Sequence, residues 1–322
     1  MTERVRIAVA HRGAGLSPVF AAVEGGYFAQ QGLQAELIDV PGHPRALQAL
    51  ARGEADFINS VGPEVLVANS QLAAGGAVGP AAADGAAVIV ASAISRSAQQ
   101  VSARPGLASR EQLRGLRWGV TARNDADECT IVMAFERWGW DPARDAQIVV
   151  VGSDRPRLDA LLDEARVDVA IMHAPEPFQA AKRGWTLIED LGRLDVAFQN
   201  SCAATRRQLL RERPDTVLRY VRAYCRGVYR FRTDAEFGIG VLRKYTGERD
   251  ERVLEQTWVL FARLMGGMMF PSVEGLRTAA HVLHRLGVLA RPPSPYEHLD
   301  LEPVAALERD GFFLEFMGRR ES

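Results

Sequence analysis

Apolar and polar positions from Val5 to Ala68 follow a strand period and a helix period in turn. Val5-Arg6-Ile7-Ala8-Val9-Ala10 is an apolar run of strand length. It ends at His11-Arg12-Gly13-Ala14-Gly15, where small residues leave the backbone open to close approach. Ser17-Pro18 reads as an N-cap followed by the first helical position, and Phe20, Val23, Tyr27 and Phe28 give that helix an apolar face before Gly32 stops it. Glu36 to Val40 is a second strand. Pro41-Gly42-His43-Pro44 then turns the chain into a helix from Arg45 to Ala51, closed by Gly53. Asp56-Phe57-Ile58 is a third strand, leading through the loop Asn59-Ser60-Val61-Gly62-Pro63 into a third helix. The pattern predicts three loops entering three helix N-termini on one edge of a sheet, the place where open α/β sheets bind ligands.

A second unit repeats the first. Gly75 to Gly85 reads as a loop, Ala86 to Ala91 as a strand, and the first crossing toward a second body falls near Gln100-Val101. Trp118-Gly119-Val120-Thr121 opens the new unit, followed by a helix from Ala126 to Trp138, a strand from Gln147 to Val151 and a helix from Arg157 to Ala165. The strand Val167 to Met172 ends at the loop His173-Ala174-Pro175-Glu176-Pro177, and Leu194 to Asn200 forms the return crossing. Ile7 precedes Asp56 by 49 residues and Trp118 precedes Asp168 by 50, with Leu50 and Leu162 each six residues before its Asp. Two α/β units of equal length imply two similar bodies. From Arg206 to Gly287 the pattern is almost wholly helical, with starts at Pro214-Asp215 and Pro271-Ser272.

Ser17-Pro18, Ala21-Ala22, Gly25-Gly26-Tyr27-Phe28, Gly32-Leu33, Gly42, Ala49-Leu50, Gly53 and Asp56-Phe57 carry, as a spaced set, a resemblance to the solute-binding proteins of bacterial ABC importers. The branch is that of the sulfonate-, taurine- and thiamin-precursor-binding proteins. The resemblance continues more thinly through Leu113-Arg114-Gly115 and Gly184 to about Leu289. It implies an α/β chain of the two-lobed periplasmic-binding-protein type II fold, each lobe a sheet flanked by helices, with a helical C-terminal region. Residues 1–100 and 200–322 would form lobe I and 101–199 lobe II. It implies a monomer that binds a small organic solute between the lobes, with an ABC permease as partner and no cofactor or metal. Such proteins are exported, whereas a core strand begins here at Val5 with no apolar leader before it. The expectation is periplasmic if a leader was removed, and cytoplasmic if Met1 is the native start. The alternative is a cytoplasmic enzyme on the same fold, a decarboxylase, desulfinase or pyrimidine synthase using the same cleft.

Composition narrows the partners. At 322 residues the chain is long enough for two lobes, and 39 Lys+Arg against 40 Asp+Glu leave a formal charge of −1, so no nucleic-acid partner is expected. No apolar run approaches the ~18 residues of a membrane span. Cys129, Cys202 and Cys225 are widely separated and specify neither a disulfide framework nor a zinc site.

The candidate ligand residues are those of the strand-end loops: His11, Arg12, Gly13, Ser17, Asn59, Ser60 and Gly62 from the first unit, and Arg123, Asn124, Asp125, His173 and Glu176 from the second. No residue is singled out as catalytic. Asp125 or Asp127 also suits the cap of the helix at Ala126, and Cys129 fits a buried structural thiol. His281 and His284 share a helical face without a third metal ligand nearby. Helix N-termini with Arg12 and Arg123 favour a carboxylate, sulfonate or phosphate. The acidic loop Asn124-Asp125-Ala126-Asp127-Glu128 favours a cationic or polar ligand equally, and the sequence leaves both open.

Overall fold

Strands β1 (Glu3–Val9), β2 (Leu33–Asp39), β3 (Phe57–Ser60) and β4 (Ala87–Ser92) come first. Strands β5 (Gln99–Ala103), β6 (Arg117–Val120), β7 (Gln147–Val150), β8 (Val169–His173) and β9 (Thr186–Asp190) follow, and β10 (Cys202–Arg206) returns. In the computed structural model, which describes residues 2–74, 84–152 and 156–317, they form two five-stranded sheets, ordered β2-β1-β3-β10-β4 and β7-β6-β8-β5-β9. The sheets share one plan. β1 runs parallel to β2 and β3 while β10 is antiparallel to β3 and β4; β6 runs parallel to β7 and β8 while β5 is antiparallel to β8 and β9.

Helices α1 (Ser17–Glu24), α2 (Tyr27–Gln30), α3 (His43–Ala51) and α4 (Gly62–Ala74) belong to the first sheet. Helices α5 (Ala126–Trp138), α6 (Pro142–Asp145), α7 (Arg157–Leu161) and α8 (Glu176–Ala181) belong to the second. The C-terminal run comprises α9 (Arg207–Glu212), α10 (Pro214–Thr233), α11 (Ala235–Thr246), α12 (Glu251–Leu264), α13 (Val273–Arg285), α14 (Glu302–Arg309) and α15 (Leu314–Met317). None of the described helices is long and apolar enough to cross a membrane.

Strand alternation explains the layers. Val5, Ile7 and Val9 enter the core under α1 and α10, whereas Ala8 and Ala10 enter the opposite core with Leu47, Leu66 and Leu276. In β8, Val169 and Ile171 face the Trp118–Phe135 cluster while Ala170 and Met172 face Trp185. Both faces are covered, which is why these strands read as continuous apolar runs. Helix α10 lies close on α1 because Gly227 has no side chain: a Cβ there would stand 2.6 Å from the Ala22 nitrogen.

Several boundaries differ from the sequence reading. The first helix breaks at Gly25-Gly26, where Gly26 adopts φ of 66°, and resumes as α2. Asn59 and Ser60 belong to β3 and not to a loop, because both pair with β10. Helix α3 starts at His43, and α7 ends at Leu161. The crossing expected near Gln100-Val101 runs between Ser92 and Gln99, and Gln99–Ala103 is itself a strand of the second sheet; β9 and β10 were not foreseen as strands. Most of the Gly75–Gly85 loop lies outside the described residues.

Two segments connect the sheets, and they bond to each other. The Phe198 and Asn200 N–H groups donate to Ser95 O at 3.0 Å and Ile94 O at 3.1 Å. The Gln99 Oε1 accepts from Ser97 Oγ at 2.8 Å, Ala98 N at 3.0 Å and Asn200 Nδ2 at 3.2 Å. Beyond these crossings the two bodies share an apolar seam: Ala126, Cys129, Val132 and Met133 of α5 pack in one cluster with Leu276, Ala279, Ala280 and Leu283 of α13.

Candidate functional site

One wall of the cleft grows from the ends of β1 and β3 and the start of α3. The His11 and His43 rings meet edge to face, with centroids 5.2 Å apart, and Ser60 Oγ lies 3.3 Å from His43 Nδ1. Gly13 makes room for this pair, since a Cβ there would stand 2.6 Å from His11 Nδ1. The other candidates of this wall are engaged internally. Asn59 is buried, its Nδ2 donating to Gly15 O at 3.4 Å and Ser201 Oγ at 3.2 Å and its Oδ1 accepting from Tyr224 Oη at 3.2 Å. Gly62 is buried against Gln199, whose carbonyl accepts its N–H at 2.8 Å. Ser17 is the first residue of α1, buried, and makes no side-chain cap; Leu16 takes the cap position. Arg12 turns away to Asp39, donating to both carboxylate oxygens at 2.9 and 2.8 Å.

The opposite wall is charged. Asp125 caps α5, accepting from Glu128 N at 2.9 Å and Ala122 N at 3.1 Å. Asn124 sits at φ of 64°, a left-handed conformation Asn tolerates, and donates its N–H to Glu128 Oε2 at 2.6 Å. Arg123 pairs with Glu128 at 2.7 Å. Arg157, at the start of α7, is the hub: it donates to Thr121 Oγ1 at 2.7 Å, to Asp127 Oδ2 at 2.8 Å, to Ile171 O at 3.2 Å and to Glu176. His173 Nε2 lies 2.8 Å from Asp127 Oδ1, and the His173 N–H donates to Glu176 Oε2 at 3.2 Å.

The walls act on one another. Burial between them pulls His11 down to about 4, with the His173 and Arg157 charges adding to the effect although its ring keeps solvent contact. Burial likewise takes His43 to about 3, with His11 and His173 contributing. Burial also opposes charge on His173, but the Asp127 carboxylate outweighs it and raises this imidazole. Asp127 is pushed up by burial yet held well below the usual carboxylate range by His173 and Arg157. Glu64, from the first turn of α4, reaches across to accept the Ala126 N–H at 3.4 Å, and burial with the nearby Asp125 pushes its carboxyl to about 8. The Cys129 thiol is buried and raised well above its ordinary value, so it is held protonated.

Sequence reading found His11, Ser60, Asp125, His173 and Glu176 but did not single out His43, Glu64 or Arg157. Glu64 sits in a first helical turn, where an acidic residue is common and so nothing local marks it, whereas Arg157 opens a helix whose dipole disfavours a cation there, the one signal that could have found it. His43 lay in a recognised turn without being chosen. Among the described residues no group of three or more His, Cys, Asp or Glu is arranged to hold a metal ion. Two surface concavities lie elsewhere: one of about 520 Å³ beside Glu24, Arg230 and Phe237, and one of about 260 Å³ between α3 and α4, lined by Leu47, Ala51 and Leu72. Neither gathers groups from both sheets, so the convergence of chemistry, and not void size, marks the cleft.

Residues 2–237 match the NMT1-like family model, and the chain belongs to that family. No curated protein sequence matches it. Among solved structures it is similar to the periplasmic sulfonate-binding protein SsuA of Methylobacillus flagellatus KT, with a TM-score of 0.75 at 17% identity over 98% of this chain and 96% of that one. The alkanesulfonate-binding protein SsuA of Xanthomonas axonopodis pv. citri, bound to MOPS, gives 0.70 at 15% identity over 92% and 98%. The ligand-binding component of an ABC-type import system from Staphylococcus aureus, with zinc bound, gives 0.73 at 13% identity over 94% and 98%. The fold is therefore the periplasmic-binding-protein fold.

Proposed function

We propose that this chain is the solute-binding component of an ABC-type importer, closing two lobes on a small organic solute. The single observation that carries the reading is the convergence of His11, His43 and Ser60 from the first sheet with His173, Asp127 and Glu176 from the second, close enough for the His173 charge to act on His11. The solute meets these groups, Arg157 positions Asp127 and Glu176, and Gly13, Asn124 and Asp125 shape the two edges. Arg12, Ser17, Asn59 and Gly62, engaged elsewhere, hold the fold around the cleft.

In this reading the lobes are residues 1–100 with 200–322 and residues 101–199. Strand membership supports the division to within two residues, since the second sheet draws only on β5 to β9 and β5 begins at Gln99. The crossings act as the hinge. The protein works as a monomer outside the cytoplasmic membrane and delivers its solute to a permease.

Small-angle scattering before and after loading with a retained metabolite tests the proposal. Loading should reduce the radius of gyration, and the metabolite should be recovered intact. An unchanged radius, or a solute consumed by the pure protein, would sink the transport reading.

A further inference from the structure

Resting on the solute-binding reading, we infer that Gln99 is a solute-contact residue in the floor of the cleft: a side-chain amide of fixed orientation that donates to an acceptor oxygen of the solute. A row of polar groups crosses that floor from one wall to the other. It begins at the β1–α1 turn, where Ser201 Oγ donates to Gly15 O at 2.7 Å, and passes through the adjoining Asn200, whose Nδ2 donates to Gln99 Oε1 at 3.2 Å. The register of β5 on β8 then pairs Gln99 with His173, so the two side chains stand on one face of the second sheet. Helix α5 covers that face, since its Ile131 packs with Val101 and Ile171, and it carries the Asp127 that meets His173 Nε2 at 2.8 Å. The His173 side chain is 41% exposed, so Gln99 stands beside a group open to the cleft.

The backbone fixes which way this amide faces. The Ala98 N–H can only donate, so the atom it meets at 3.0 Å is the Gln99 oxygen, which Ser97 Oγ at 2.8 Å and Asn200 Nδ2 then fill. Gln99 Nε2 is left as a pure donor. The residue is fully buried, and no described residue accepts from Nε2, Asp127 included. The other amides of the floor are spent on the fold. Asn59 is bonded at both ends, and Gln199 donates to Ser92 Oγ at 2.8 Å and accepts from Ser272 N at 2.7 Å. Gln100 is also unpartnered, but its register partner Met172 places it on the opposite face, toward the Trp185 cluster. A buried donor without an acceptor is unfavourable, so an acceptor oxygen of the solute completes Gln99 as the lobes close. Charge around it nearly cancels. Arg157 and the His173 imidazole, whose protonated form Asp127 favours, face Asp127 and Glu176. His11 and His43 are neutral at physiological pH, and burial raises Glu64 and Asp125 to about 8 and about 7. Hydrogen-bond capacity, more than net charge, therefore selects the solute.

Proton–nitrogen NMR of the full chain, labelled at glutamine side chains, tests this with the size-matched probes methyl propyl ketone, propanesulfonate and butylamine. The Gln99 signals are identified by their loss in Gln99→Glu, which keeps an oxygen for Ala98, Ser97 and Asn200 and replaces the donor with an acceptor. An acceptor probe should move the Gln99 side-chain protons downfield at saturation, the ketone marking a neutral acceptor and the sulfonate an acidic one. In Gln99→Glu the affinity for that acceptor should fall at least about tenfold relative to the affinity for butylamine. An acceptor probe that binds, by shifts elsewhere, and leaves the Gln99 signals in place overturns the inference. So does binding of butylamine alone, or a variant that loses affinity for all probes alike, the mark of a merely structural residue. If Gln99→Glu does not fold, Gln99→Met identifies the signals and the downfield shift in the parent decides. Where only a metabolite of a cell extract binds, the same shift is required of it. Failure of the solute-binding reading has another signature: no probe and no cell-extract metabolite would shift any signal or reduce the radius of gyration.

Discussion

The two sheets are alike at the edge far from the cleft and unlike at the edge that faces it. At the far edge Arg6 begins the repeat in β1 and Arg117 in β6. The Asp56 N–H donates to Arg6 O at 2.8 Å and the Asp168 N–H to Arg117 O at 2.9 Å. Each carboxylate accepts the partner's N–H in return, Arg6 N at 2.9 Å and Arg117 N at 3.2 Å, and each holds a second arginine from the antiparallel strand or its end, Arg206 at 3.6 Å and Arg104 at 2.8 Å. At the cleft edge one sheet presents neutral imidazoles, while the other presents an ion network around Arg157. The far edge solves a problem common to both sheets, how to satisfy the strand ends and helix termini, and its solution is duplicated. The near edge is the one proposed to meet the solute, and there the two sheets differ.

The largest expected effect tests the charged wall. Asp127→Ala leaves Arg157 and His173 facing each other without their shared carboxylate, and should cost about 3 kcal/mol in urea unfolding. His43→Ala in the imidazole wall should cost only about 1 kcal/mol, the range of a single hydrogen bond with some packing. Equal costs would show that the walls differ in composition but not in energetics. A smaller effect tests the duplicated edge. Asp56→Ala and Asp168→Ala should each cost on the order of 2 kcal/mol, with Asp168 the larger because its ion pairs are shorter. The Arg117 guanidinium also holds the Asp168 carboxyl well below its usual range, so its contribution is present above the unfolded value of 3.8 and fades as pH falls below it. If Asp56→Ala proves harmless, the duplication is sequence coincidence and not a shared device.

The smallest effect, reduced because both His11 and His173 keep solvent contact, is the sign of the pH dependence. His11 and His43 titrate lower in the folded chain, so their contributions hold above 6.5 and are lost as pH falls through about 4 and about 3. His173 titrates higher than 6.5, so its contribution is complete below 6.5 and is lost as pH rises through the folded value. Unfolding free energies of His43→Gln and His173→Gln followed against pH should therefore diverge from the parent in opposite directions. Parallel curves would erase the distinction between the walls.

The repeat was legible because its signals are local: apolar runs ending in small residues, and Pro or Asp at helix starts. The helix Ala126–Trp138 has the bounds the pattern gave, with Asp125 as its cap and Gly139 at φ of 70° as its stop. The antiparallel strands were not legible. β10 is Cys-Ala-Ala-Thr-Arg, small and without alternation, and becomes a strand only because β3 and β4 flank it. The site was half legible for the same reason. A strand-end histidine can be found in a sequence, but whether Arg12 points to the cleft or to Asp39 depends on a neighbour 27 residues away. Arg157 illustrates the limit, since its partners come from two turns about 50 residues apart in the chain, β6–α5 and β8–α8.

That hub also bears on how the protein can change. Substitutions around Arg157 share partners and so should be strongly non-additive, each acceptable only in company with others. The imidazole wall has no such web: His11 and His43 touch each other and Ser60. Evolution toward a new solute, or deliberate redesign, therefore has an editable page in the first wall and a fixed one in the second, and recent divergence should accumulate at His11, His43 and Ser60 before it reaches Asp127 or Arg157.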